Sequence, residues 1–190
     1  MGCDREFRVF HWATSTSRLV NRVAIALASA FMLVVACANG PQFVGQPASG
    51  GAEDISKLYV TTGESGDPGL AQDRSSLGGK ILRINPDGSI PPAWSFGHCN
   101  IQGAAWDSAG RLWVTEYGAN RLDELNLIQR GCNYGWPMTE GRADTPGLMD
   151  PVIQWPVGEA SRPGLAYVGG SLWVACLRGQ RLYRVLQFRA

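Results

Sequence analysis

Charge is scarce in this sequence. Asp, Glu, Lys and Arg make up 17% of its 190 residues, where a soluble domain commonly carries about 25%. The 17 basic and 16 acidic side chains nearly cancel. Without a basic excess there is no electrostatic footprint for a phosphate backbone, and nucleic-acid binding is excluded as a function. Cysteine is sparse too. None of the five is spaced C-x-x-C, which removes the common zinc and dithiol redox patterns. No stretch after residue 50 sustains the apolar period of a helix. The marked apolar run at 23–35 has 13 residues, too few to cross a bilayer as a helix. Histidine occurs only at His11 and His98. What remains in quantity is apolar residues, at 45%, and 24 glycines. That apolar fraction supports a packed core and excludes disorder over the whole chain.

The 13-residue run has the length of a signal-peptide h-region, and Arg18 and Arg22 precede it. It leads into Leu33-Val34-Val35-Ala36-Cys37, which resembles a bacterial lipobox, where a peptidase cuts before a lipidated cysteine. The expectation is a signal peptide over 1–37 with lipidation at Cys37, a flexible tether over 38–52, and a folded domain over 53–190. A plain secretory signal with Cys37 incidental is the alternative. The expected location is the cell envelope, anchored by lipid on the outer face of the cytoplasmic membrane, with no other membrane contact. Cys99, Cys132 and Cys176 are then left, enough for one disulfide and a free thiol, with the pairing open.

From Leu58 onward the chain reads as short strands cut by glycine turns. Leu58-Tyr59-Val60, Leu112-Trp113-Val114 and Leu172-Trp173-Val174 are one strand core repeated at spacings of 54 and 60 residues. The segment 102–125 parallels 163–185 more fully, down to Arg121-Leu122 against Arg181-Leu182. Asn85-Pro86-Asp87-Gly88 predicts a tight turn after a strand at 80–84. Strand, turn, strand at this period is how β-propeller blades read. The expectation is an all-β fold, a partial propeller of about two and a half blades. Propellers close with four to eight.

Five ordered motifs then carry a resemblance. They are Thr62-Gly63-Glu64-Ser65-Gly66-Asp67, Leu77-Gly78-Gly79-Lys80-Ile81, Gly97-His98-Cys99-Asn100, Thr115-Glu116-Tyr117-Gly118-Ala119-Asn120 with Asp123-Glu124-Leu125, and Asn133-Tyr134-Gly135-Trp136-Pro137. Trp155-Pro156 and Leu177-Arg178-Gly179 continue in register. In order and spacing the chain resembles the soluble PQQ-dependent glucose/sorbosone dehydrogenases, which are six-bladed propellers. The resemblance implies pyrroloquinoline quinone (PQQ) and Ca²⁺ as cofactors and a sugar substrate oxidised at its C1 hydroxyl or aldehyde. A quinone carbonyl accepts hydride, a base takes the hydroxyl proton, and the metal polarises the quinone. It implies calcium ligation by the backbone carbonyls of Gly118 and Ala119, hard oxygens of the kind calcium takes, with Glu124 supporting that loop. It implies cofactor contacts from Asn100, Trp155 and Arg178, and a sugar contact from Asp123. Read from the residues alone, Asp123 and Glu124 are as readily solvated strand-end acids, and Trp155 a core aromatic.

Three departures stand out. Cys99 occupies a position where the family carries arginine, Tyr117 replaces a polar residue, and Cys132 replaces a residue of a glycine-rich turn. The family's base is a histidine on an earlier blade with no counterpart here, and His98 matches a position beside the cofactor contacts instead, so no catalytic residue is assigned. The expectation is a dehydrogenase of this kind, inactive or impaired on its own. The alternative is a non-catalytic envelope lipoprotein that binds a carbohydrate or protein partner.

Overall fold

The computed structural model describes residues 57–160 and 164–186, together with the backbone of 8–13 and 42–44. Its strands, in chain order, are β1 (Arg8–Ala13), β2 (Gln42–Val44), β3 (Leu58–Thr61), β4 (Lys80–Ile84), β5 (Ser95–Phe96), β6 (Ile101–Trp106), β7 (Leu112–Glu116), β8 (Leu122–Leu127), β9 (Ile153–Pro156), β10 (Gly164–Val168), β11 (Ser171–Cys176) and β12 (Arg181–Leu186). They form three antiparallel four-stranded sheets: blade I, β2-β3-β4-β5; blade II, β6-β7-β8-β9; and blade III, β10-β11-β12-β1. The fold is all-β, a partial propeller. Among the described residues one 3-10 turn forms, over Pro68–Ala71. Among the described residues no helix is long and apolar enough to cross a membrane.

The ten strands from β3 to β12 amount to two and a half such blades, matching the repeat arithmetic. The other two strands come from further back in the chain. Arg8–Ala13, which the sequence reading places in the leader, pairs along its whole length with β12. Gln42–Val44, within the expected tether, pairs with β3. Cys37 lies outside the described residues.

Turn chemistry sets the hairpins. Between β6 and β7, Asp107 accepts hydrogen bonds at Oδ1 from the N–H groups of Ala109 and Arg111, while Gly110 takes φ +72°. The equivalent turn of blade III is one residue shorter in sequence, and Gly169 and Gly170 both take positive φ. That is the geometry a two-residue hairpin requires. The predicted turn at 85–88 forms, closed by a Gly88 N–H to Asn85 carbonyl bond of 2.9 Å.

The strands β2, β6 and β10 lie side by side as the first strands of successive blades. At Gly103 this approach leaves no room for a side chain: a Cβ would sit 2.6 Å from the Leu165 nitrogen and 2.7 Å from Thr115 Oγ1. Period-2 alternation then divides each strand between two cores. Leu112 and Val114 of β7 pack with Tyr59, Ile81 and Ile101 between blades I and II. Trp113, between them in sequence, packs with Leu125, Trp155, Leu172, Val174 and Tyr183 between blades II and III. The copies at 102–125 and 163–185 are equivalent in register, since Ala105 pairs with Trp113 and Ala166 with Trp173.

Gly103→Ala should therefore destabilise the protein by about 1–3 kcal/mol through overpacking. Gly158→Ala, where an added Cβ meets nothing within 4 Å, should stay within about 0.5 kcal/mol. Urea denaturation of the two variants checks the contrast.

Candidate functional site

The antiparallel order gathers the C-terminal ends of β3, β7 and β11 and the N-terminal ends of β4, β6, β8 and β12 at one end of the blades. The motif loops 62–67, 97–100, 117–121 and 133–140 lie at that end. They are pinned there by buried polar side chains.

The central one is Glu116, the last residue of β7, 4% exposed. Its Oε1 accepts the Cys99 N–H at 2.5 Å, and its Oε2 lies 2.9 Å from His98 Nδ1 and 3.4 Å from Asn126 Nδ2. A carboxylate only accepts, so Nδ1 of His98 carries the hydrogen. The other ring nitrogen is 2.8 Å from Ser95 Oγ, and the ring stacks on Tyr134 at 4.7 Å. His98 is thus a fully buried positioning group with both nitrogens engaged.

Asn126 also donates to Glu124 Oε2 at 3.0 Å, and Glu124 Oε1 accepts the Gly141 N–H at 2.6 Å. Glu116 and Glu124 face each other across the strands. Burial, then the neighbouring Glu116 charge, push the Glu124 carboxyl up to about 7, against the opposing pull of Asn126 and Gly141. Gly118 is held by its N–H to Asp123 Oδ1 at 2.9 Å. Here too a side chain is impossible, since a Cβ would overlap the Leu122 carbonyl. Glu140 Oε1 accepts the N–H groups of Asn120, Arg121 and Leu122 at 2.8–3.2 Å. Burial alone would raise the Glu140 carboxyl, but those donors and the Arg121 charge together leave it lower than usual.

Loop 133–140 is fixed from blade I. Gln72 and Asn133 exchange side-chain hydrogen bonds of 2.9 and 3.1 Å, and Gln72 also donates to the Trp136 carbonyl. Beneath these loops Cys99, Glu116, Glu124, Trp136 and Glu140 line a cavity of about 10 Å³, at the limit for one water molecule. The indole N–H of Trp136 is buried without a hydrogen-bond partner. Nearby, Lys80 is fully buried and donates from Nζ to the carbonyls of Leu70, Ala71 and Gly78.

The structure brings Asn100, Gly118, Ala119, Asp123 and Glu124 to this end. The Asn100 carbonyl accepts the Tyr117 N–H at 2.8 Å, and its side chain accepts from Gln102 at 2.7 Å. Asp123 is fully buried, and the oxygen bonded to Gly118 holds the loop. Arg178 is exposed in the turn between β11 and β12 of the next blade. Trp155 is 5% exposed in the core between blades II and III, tilted against Tyr183 at 5.4 Å, away from the cavity wall. In that turn the positive φ falls on Gly131, at +78°, and not on Cys132. Cys99, Cys132 and Cys176 are all free. Burial, then the Glu116 charge, raise the Cys99 thiol well above its ordinary value, and burial pushes Cys176 up to about 12.

Glu140 was not singled out from sequence: its partners are backbone groups in another loop, and no local pattern marks it. Lys80 falls in a motif, but its burial and its contacts with the Leu70 and Ala71 carbonyls are not readable there.

Because Glu124 binds its proton more tightly folded than unfolded, stability should fall as pH rises from about 4.5 to 7. Glu124→Gln should remove a part of that slope on the order of 2 kcal/mol. Urea midpoints measured from pH 4.5 to 8 check it; equal slopes in both proteins would count against the buried charge.

Comparison with known proteins places this geometry. A family model described as Glucose / Sorbosone dehydrogenase matches residues 50–188. The PQQ-bound aldose sugar dehydrogenase of Streptomyces coelicolor superposes with a TM-score of 0.71 at 48% identity, over 79% of this chain and 45% of that one. Quinoprotein glucose dehydrogenase B of Acinetobacter calcoaceticus is 36% identical over 121 residues, 48% of this chain and 25% of that protein. Aldose sugar dehydrogenase YliI of Escherichia coli is 37% identical over 97 residues, 43% and 26% of the two chains. The chain spans less than half the length of each. With the family model covering most of the sequence, the chain belongs to the glucose/sorbosone dehydrogenase family.

Proposed function

We propose that this chain carries part of the cofactor-facing end of a PQQ- and calcium-dependent dehydrogenase acting on the C1 hydroxyl or aldehyde of sugars, and that this end is impaired. The observation that carries the reading is the pinning of loops 97–100 and 117–121 to each other through Glu116, at the end where the family motifs converge.

For calcium, the donor chemistry fits in kind. The proposed ligands, the carbonyls of Gly118 and Ala119, are hard oxygens in a loop held by Asp123 and Glu140. Glu124 would support it through Gly141. Among the described residues no group of three or more His, Cys, Asp or Glu is placed to hold a metal.

For PQQ, the residues do not fit as they stand. The cofactor is an anion, and the cation expected at position 99 is a buried thiol that its surroundings keep neutral. Asn100 offers an amide alone. The fully engaged His98 has no free nitrogen for a substrate proton. The same observations favour, as a second reading, a module that binds a sugar without turning it over.

The test is titration of the full-length chain with PQQ and Ca²⁺, followed by dye-linked reduction with several aldoses and Glu124→Ala as control. Weak cofactor binding and no turnover above the control are expected. Cys99→Arg should tighten PQQ binding by about 10- to 100-fold, the value of one charge-assisted contact. Calcium-dependent turnover by the unaltered chain would overturn the impairment. Absence of PQQ binding in both proteins would leave the sugar-binding reading.

A lipid anchor at Cys37 in the cell envelope is part of the same proposal. Cleavage before Cys37 would remove Arg8–Ala13 and with it the edge strand of blade III, so one mature chain cannot have both. Palmitate labelling, lost in Cys37→Ala, supports the anchor; a mature protein that retains residue 8 excludes it.

A further inference from the structure

At the other end of the blades the chemistry changes. The turn between β6 and β7, the end of β8 and the approach to β5 enclose a groove of about 400 Å³ between blades I and II, within the range of small-ligand sites. Its walls include Tyr59, Trp94 and Trp106, with Tyr59 edge-on to both indoles at 5.5 and 5.0 Å. Its polar groups are guanidinium cations. Arg111 and Arg130 line it, and Arg83 and Arg130 lie over the Trp94 ring at 4.6 and 5.3 Å.

These cations outnumber the acids that answer them. Asp107 engages Arg111 Nε at 2.6 Å, which holds that side chain in place. Among the described residues no carboxylate lies within 4 Å of the Arg83 or Arg130 guanidinium, and Arg83 Nε is buried with no hydrogen-bond partner. A guanidinium stacked on an indole keeps its edge N–H groups in a fixed plane, the arrangement that meets a carboxylate with two parallel hydrogen bonds. Flat aromatic walls beside it favour a ring over an extended chain.

We propose that this groove binds a small carboxylate carrying a planar apolar ring, the carboxylate meeting Arg130 and the ring lying against Tyr59, Trp94 and Trp106. The site is separate from the motif loops, at the opposite end of the same strands, and does not rest on the dehydrogenase reading. A bare anion would leave the aromatic walls unused, and a neutral ring would leave the cations unanswered.

Calorimetric titration of the full-length protein with 2-naphthoate tests it, with 2-naphthalenemethanol as neutral counterpart. Saturable binding of one naphthoate is expected, weakened about ten-fold or more in the neutral analogue and in Arg130→Gln, as loss of a charge-assisted contact implies. Arg130 is exposed, so its replacement leaves the fold intact, and an unchanged thermal midpoint confirms that. Equal affinity for the neutral analogue, unchanged binding in Arg130→Gln, or no saturable binding at millimolar naphthoate would overturn the proposal.

Discussion

The geometry of the motif end depends on one buried carboxylate. Glu116 sits at the last position of β7 and takes donors from two directions: His98 and Cys99 from the loop that enters blade II, and Asn126 from the neighbouring strand. Burying a carboxylate costs several kcal/mol even after relaxation. Each hydrogen bond to a charged group returns about 1.5–3 kcal/mol, so three partners can bring the balance near zero or slightly favourable. The gain is positional. Without Glu116 the Cys99 N–H and the His98 Nδ1 hydrogen would be buried orphans, and Asn100 would lose its register against Tyr117.

That carboxylate also sets the state of its neighbours. Glu124 lies opposite it, and both draw on one Asn126 amide group. Glu140, a few ångströms along the same cavity, escapes by accepting three backbone N–H groups. Three acids around one small cavity are thus solved in different ways: one clamped, one fenced by amides, one pushed toward protonation. The glycines belong to this solution. Gly118 lets its loop close directly onto the Leu122 carbonyl, within reach of Asp123.

Features decided locally were legible in the sequence. The Leu-Trp-Val strand cores, the turn at 85–88 and the equivalence of 102–125 with 163–185 follow from alternation and turn chemistry, which operate over a few residues. The motif loops were legible through resemblance, and they do converge. Features decided by distant partners were not. β1 pairs with a strand more than 160 residues later, and no local pattern announces that pairing. Glu140 serves N–H groups 18 to 20 residues upstream. Trp155 sits in the core, as its residue type alone suggests, and which face of β9 turns toward blade III depends on β11 and β12. The equivalence of the repeats itself has a limit that packing explains. Trp113 is buried by blade III, whereas its counterpart Trp173 is half-buried, with the Arg184 guanidinium over its ring at 5.4 Å.

Cys99 links the departure from the family to the electrostatics of the cavity. Where the resemblance implies an arginine, this chain has a neutral thiol between Glu116, Glu124 and Glu140. An arginine so placed would offset part of that negative field as well as face the cofactor, since an opposite charge within a few ångströms favours the ionised carboxylate. With the thiol there, no cation at this position answers the acids. Glu124, with two donors where Glu116 and Glu140 have three each, is the one raised, by burial first and then by the Glu116 charge. Against the resemblance, the thiol at residue 99 is the loss of one positive charge facing these acids. The fold tolerates it because the loop is held by Glu116 through the backbone N–H of residue 99, a contact that does not depend on the side chain there.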